Sequence, residues 1–264
     1  MQATRVILLF DPEHITAANF RKRWILSTKA QKEDGDPDGY TKAVIRELVF
    51  LDSILTSPLH RQSKSPTLWH HRAWLLNLLL PIKLVEPSGE PFLTSVRSEL
   101  DAVLKAGEQH PKNYYAWQYA RRLFTKVEHL HATGSDHSWK NSYHAFFVTC
   151  TLLVKAWCCK HPSDISGWTF LQSLLPQLKS IPRRRRIVKQ VLEYAINLQL
   201  EQESLWVFLR TVLGDSVLQE ERGAVIQLLH NYQKGRASTD EGSSPESYVT
   251  QAAKWIELYS KPLP

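Results

Sequence analysis

The sequence reads as an all-α protein, a right-handed α–α superhelix of about five helical hairpins. Three observations point there. Leu-rich runs at helical spacing, such as ELVFLDSILTSPL and LWHHRAWLLNLLL, recur along the 264 residues. Strand-type alternation is hard to find, and Gly is scarce at 10. A tryptophan-centred pattern returns at near-constant spacing, the mark of a repeat array.

The copies align on their tryptophans. KSPTLWHHRAWLL holds Trp69, PKNYYAWQYARRLF holds Trp117, HPSDISGWTFLQSLL holds Trp168 and EQESLWVFLRTVL holds Trp206. An earlier copy, HITAANFRKRWIL, has the same frame with Ala18 at the anchor position, so the spacings are 51, 48, 51 and 38 residues. Each of the later copies follows a second amphipathic segment: TKAVIRELVFLDSILTSPL, LTSVRSELDAVLKAGEQH, SYHAFFVTCTLLVKAWCCKHP and RRRIVKQVLEYAINLQL. The unit is helix, short polar turn, helix. Its turn carries Pro, Ser, Asn or Asp, which start helices well. In HPKNYYAW, Pro111 ends one helix and Asn113 caps the next. One hairpin cannot bury both its apolar stripes, whereas a stack of five shares a continuous core. Trp69, Trp117, Trp168 and Trp206 are therefore expected as core anchors between the helices of each hairpin. Arg72 lies three positions after Trp69, placed to reach the turn of an adjacent repeat or the rim of a partner.

At both ends the pattern changes. MQATRVILLFDPEH has an apolar run too short for a signal peptide or a membrane span, and WLLNLLLPI is interrupted by Asn77 and Pro81. A soluble, cytoplasmic protein without stable membrane insertion is expected. Three cysteines, two of them adjacent, do not suggest a disulfide framework, which fits a reducing compartment. CCKH (Cys158, Cys159, His161) is poorly spaced for tetrahedral zinc, so no metal site is expected. The Gln31–Tyr40 stretch reads as an acidic loop. Residues 1–233 read as the repeat domain, 234–247 as a Gly/Ser-rich flexible linker, and 248–264 as a helix that caps the last repeat.

Net charge is +7, with the sharpest basic cluster in PRRRRIVK, Pro182 to Lys189. Nucleic-acid binding would need basic residues spread over a face and a groove-reading element, so it is not expected. The cluster reads as a solvated helix start or a contact for an acidic partner. Four Arg at a helix N-terminus oppose the helix dipole, which suggests that something anionic neutralises them.

The quoted turns resemble the repeat of protein prenyltransferase α subunits, roughly P-x-N-Y-x-x-W-x-x-R. The residues that carry the resemblance are Trp69–Arg72 (WHHR), Pro111–Trp117 (PKNYYAW) and Thr16–Arg23 (TAANFRKR), and it spans about residues 10–215. Tetratricopeptide units, by contrast, repeat every 34 residues or so. Length and divergence look most like the α-subunit repeat-containing proteins. The resemblance implies a curved array of hairpins that wraps a β subunit in a heterodimer. That partner would hold the zinc, none being bound by this chain, and most of the isoprenoid pocket. Zinc makes the acceptor cysteine of the protein substrate a thiolate. The α subunit adds cationic and aromatic groups that meet charge on the diphosphate as it leaves.

Carried over by position, the family's catalytic Lys falls on Lys64, five residues before Trp69. Lys112 and Tyr114 occupy the matching K-N-Y of the third copy. These three are the expected catalytic residues. His71, Arg72, Tyr115 and Arg121 are expected to face the isoprenoid diphosphate or the partner. Tyr115 stands where the family has His, Ser65 and Pro66 follow Lys64, and Ala120, Leu171 and Leu209 fill the Arg position. Two functions follow: an α subunit of a heterodimeric farnesyl or geranylgeranyl transferase, or a non-catalytic repeat scaffold for protein–protein contacts. A peptide or nucleic-acid adaptor using the basic cluster is the weaker third. With no phosphate loop and no nucleophile–base pair, the chain is not expected to be active alone.

Overall fold

The computed structural model describes residues 1–30, 39–84, 90–133, 138–214, 222–237 and 247–260. The described residues form α-helices joined by short turns, with one 3₁₀ segment, Leu175–Gln177. The acidic stretch falls almost wholly outside them. So does most of the Gly/Ser-rich segment, whose first residues, 234–237, are helical. No described helix is long and apolar enough to cross a membrane.

The chain divides into two compact units, Met1–Cys150 and Thr151–Pro264. The first contains α1 (Gln2–Phe10), α2 (Ile15–Ala30), α3 (Gly39–Leu55), the single turn α4 (His60–Ser63), α5 (Pro66–Leu84), α6 (Glu90–Gln109), α7 (Tyr114–Thr133) and the start of α8 (Trp139–Lys160). α1 packs on α2, α3 on α5 and α6 on α7, giving three hairpins. The second unit takes the end of α8, α9 (Ile165–Leu174), α10 (Ile181–Asn197), α11 (Glu203–Leu213), α12 (Arg222–Ala237) and α13 (Tyr248–Ser260). Here α10 pairs with α11 and α12 with α13, while α11 also touches α9 and α13.

The anchors sit where the spacing puts them. Trp117 and Trp168 are fully buried, Trp69 and Trp206 nearly so, and Ala18 is buried at the first copy. Three indoles make the same bond to a carbonyl six residues back. Trp69 Nε1 donates to Ser63 O (2.8 Å), Trp168 Nε1 to Pro162 O (2.9 Å) and Trp206 Nε1 to Leu200 O (2.7 Å). The indole thus packs the hairpin and closes its turn.

The residue four before the anchor caps the second helix in four copies. His14 Nδ1 accepts from Ala17 N, Ser65 Oγ from Leu68 N, Asn113 Oδ1 from Ala116 N and Asp164 Oδ1 from Gly167 N, over 3.0–3.3 Å. Successive turns are also stitched together. Ser65 Oγ donates to Pro12 O (3.2 Å), Asn113 Nδ2 to Ser63 O (3.1 Å) and Ser204 Oγ to Ser163 O (3.1 Å).

Position three past the anchor is buried in every copy: Arg21, Arg72, Ala120, Leu171 and Leu209. The two arginines pair with glutamates on the first helix of the following repeat. Arg21 clasps Glu47 through two nitrogens, one of them Nε at 2.6 Å. Arg72 Nε reaches Glu99 at 2.6 Å, and Tyr119 Oη donates to the same carboxylate at 2.5 Å. Arg72 also lies 3.2 Å from Asp52 on α3. Burial alone would lower the Arg72 pKa; Glu99, Tyr119 and Asp52 outweigh it and the net shift is upward. The W-x-x-R arginine is therefore a staple between repeats.

α13 seats on the end of α11. A Cβ on Gly214, just past α11, would come within 2.6 Å of the Trp255 ring, so this close approach requires glycine. Arg210 lies over the same ring, 6.0 Å from its centroid. Together α12 and α13 form a further hairpin, of which the sequence pattern showed only the second helix.

Candidate functional site

The second helices of the first three hairpins, α2, α5 and α7, enclose a groove of about 470 Å³. Residues one past each anchor, Asn19, His70 and Gln118, line it together. This follows from equivalent positions on equivalent helices pointing the same way. Lys22, four past Ala18, and Arg122, five past Trp117, add cations, and Tyr115 adds an aromatic face. No described carboxylate lines the groove. Burial lowers the Lys22 pKa, and its ammonium sits 5.6 Å from the centre of the Trp74 ring. A cationic hollow with mixed aromatic and amide walls suits an anionic group or an acidic segment.

The three expected catalytic residues stand at the N-terminal ends of these helices. Lys64 is half-buried in the turn before α5, where its Nζ donates to Pro111 O at 3.0 Å. That contact brings Lys64 to the turn that carries Lys112. Lys112 is exposed and adopts φ 58°, a left-handed conformation uncommon outside glycine. Tyr114 is 55% exposed and meets the Tyr115 ring edge-on, with centroids 5.5 Å apart. Arg121 is half-buried beside them; burial lowers its pKa, with Tyr114 opposing.

His71 and Arg72 do not face outward. His71 is wholly buried, Arg72 is 3% exposed, and both point into the protein. Burial first, then the charges of Lys22, Arg21 and His70, depress the His71 pKa to about 3, so the ring is neutral although Glu47 lies 3.7 Å away. Their expected role at a partner surface is corrected accordingly. The polar residue of this segment that lines the groove is His70, beside Trp69.

Sequence reasoning missed Lys22, His70, Gln118 and Arg122. For His70 and Gln118 the available signal was the position one past each anchor, polar in all three copies; Lys22 and Arg122, four and five past theirs, share no such register. Among the described residues no three His, Cys, Asp or Glu side chains gather as a metal site. Burial pushes the Cys158 thiol well up and the Cys150 thiol up to about 12, which disfavours the thiolate that metals and electrophiles require.

Tandem two-helix repeats with an indole anchor, a capped turn and an inter-repeat arginine define an α-hairpin repeat protein. Residues 74–195 match the family model described as the ECM9 middle domain. The geranylgeranyl transferase type-2 subunit alpha of Mus musculus is 26% identical over 224 residues, covering 81% of this chain and 33% of that protein. Protein prenyltransferase alpha subunit repeat-containing protein 1 of Homo sapiens is 27% identical over 194 residues, covering 68% of this chain and 40% of that protein. Its Xenopus laevis counterpart 1-B is 23% identical over 269 residues, covering 92% and 59%. The chain is thus similar, at 23–27% identity, to protein prenyltransferase α subunits and to the α-subunit repeat-containing proteins. It spans about a third of the length of the geranylgeranyl transferase type-2 α subunits it matches.

Proposed function

We propose that this chain acts as the α-type subunit of a heterodimeric protein prenyltransferase. In this reading the groove on α2, α5 and α7 receives a β-type subunit. That partner brings zinc, a farnesyl or geranylgeranyl diphosphate and the cysteine-bearing protein substrate. The observation that carries the reading is the groove itself, in which Lys22, His70 and Arg122 meet without an opposing carboxylate among the described residues. Lys64, Lys112 and Tyr114 stand beside it at the helix ends. From there cations and a phenol can meet negative charge as it builds on a departing diphosphate.

The test is co-expression with β-type prenyltransferase subunits. A stable heterodimer is expected, weakened in the Lys22→Glu and Arg122→Glu variants. Absence of any co-purifying β-type subunit would refute the proposal. In the complex, Lys64→Ala and Lys112→Ala should lower prenyl transfer while thermal stability is held.

One observation favours a second reading, a non-catalytic scaffold on the same fold. Lys64, at the family's catalytic position, has its ammonium on the Pro111 carbonyl, where it stitches two turns. Under that reading the heterodimer forms, yet the single and double lysine variants transfer prenyl groups no worse than the parent.

A further inference from the structure

The four-arginine start of α10 finds no use in the groove described above. Ser180 caps the helix by accepting from Arg183 N. Arg184 folds back, its Nε donating to Leu178 O at 2.6 Å and a second nitrogen to Pro176 O. Arg185 and Arg186, with Lys189 one turn on, instead line a hollow of about 690 Å³ between α10 and α12. Its floor is apolar, formed by Leu192, Leu213, Val225 and Leu228, the last of these 43% exposed. The lining carries three cations against one described carboxylate, Glu193, which lies 3.8 Å from Lys189.

We infer that this hollow is a docking groove for an amphipathic helix of a partner protein, one with an apolar stripe and acidic residues along one flank. Three features choose this occupant. From Pro182 to Glu193 the α10 wall runs about 16 Å, three helical turns. Both walls are helices whose backbone bonds are internal, so no strand edge is on offer. An extended peptide would lay unpaired amides on the apolar floor, whereas a helix satisfies its own. The cations follow the groove edge at helical spacing, which matches carboxylates one turn apart on a bound helix. An anionic partner also relieves the unfavourable placing of arginine at a helix N-terminus.

The test uses the full chain and a displayed library of helix-forming peptides about four turns long. Enriched sequences should carry apolar residues at i, i+3 or i+4, and i+7, with Asp or Glu on one side. Synthetic copies should bind the parent. They should lose affinity by about tenfold or more for the Arg186→Glu, Lys189→Glu double variant and for Leu228→Lys, with circular dichroism unchanged. Replacing the peptide acids by Lys should restore binding to the charge-reversed variant. No enrichment, enrichment without helical spacing, or equal binding to parent and variants would overturn the inference. Saturable binding of dodecyl phosphate with no peptide enriched would also overturn it, in favour of a lipid site.

Discussion

Replacing Arg72 by Met probes how the repeats are held together. The change leaves Glu99 only 6% exposed, with Tyr119 Oη as its remaining donor, while Asp52 is 46% exposed and can be solvated. Removing one partner of a buried pair costs about 3–5 kcal/mol, because the other charge is left uncompensated. With one buried carboxylate stranded and one donor kept, the lower end applies, so about 3 kcal/mol is expected. In a unit of some 150 residues that loss lowers the melting temperature by roughly 6–12 °C. The triple variant Arg72→Met, Glu99→Leu, Tyr119→Phe removes the charges and the hydroxyl together. It should recover most of the loss, since apolar replacement of a whole buried pair is often neutral or stabilising. Leu171 and Leu209 already fill the equivalent position in later copies, so the site accepts apolar bulk. The assay is urea and thermal unfolding followed by circular dichroism. A loss under 1 kcal/mol for the single variant, or a triple variant no better than the single one, would refute the reasoning.

Asn113→Ala removes both a helix cap and the donor to Ser63 O, so a loss of about 2 kcal/mol is expected in urea unfolding; Asn113→Ser, which can still cap, should cost about half that. Lys112→Gly should raise stability by about 0.5–1 kcal/mol because glycine accepts φ 58° without strain, while Lys112→Ala should not. His71 gives a pH signature. Unfolded, the imidazole takes a proton near pH 6.5; folded, it does so only near about 3. Between these values the unfolded chain binds more protons, so stability falls as pH falls, by up to about 1.4 kcal/mol per unit. His71→Gln should flatten the urea midpoint between pH 6.5 and 5; an unchanged slope would remove His71 as its source.

Much of the fold was legible because an indole anchor imposes a spacing, and spacing survives in one dimension. Trp69, Trp117, Trp168 and Trp206 are all buried, and Ala18 takes the fifth place. The helix α1 was not read as one because its nine residues offer too few turns for a period to emerge. In α12 two glycines, Gly223 and Gly235, weaken the local preference, so only packing on α13 settles the helix. Lys64 and Lys112 were placed correctly in turns, but not the contact between Lys64 and Pro111 O. Of the two readings of Arg72, the adjacent repeat agrees with its pairing to Glu99, and the rim of a partner failed for a definite reason. Sequence shows which face of a helix a side chain leaves from, and says nothing of what stands opposite. Glu47 and Glu99 lie 26 and 27 residues after their arginines, and that matching offset becomes meaningful only once the hairpins are seen to stack.

The same inter-repeat position gives the chain an uneven response to temperature. Its two ion pairs lie in the Met1–Cys150 unit, and its two buried leucines lie in the Thr151–Pro264 unit. Heating lessens the desolvation cost of a buried ion pair, while apolar stabilisation levels off as temperature rises. Heating towards the unfolding range therefore favours the cohesion of the N-terminal repeats relative to the C-terminal ones. Hydrogen exchange just below the melting range should open α9 and α11 before α5 and α7.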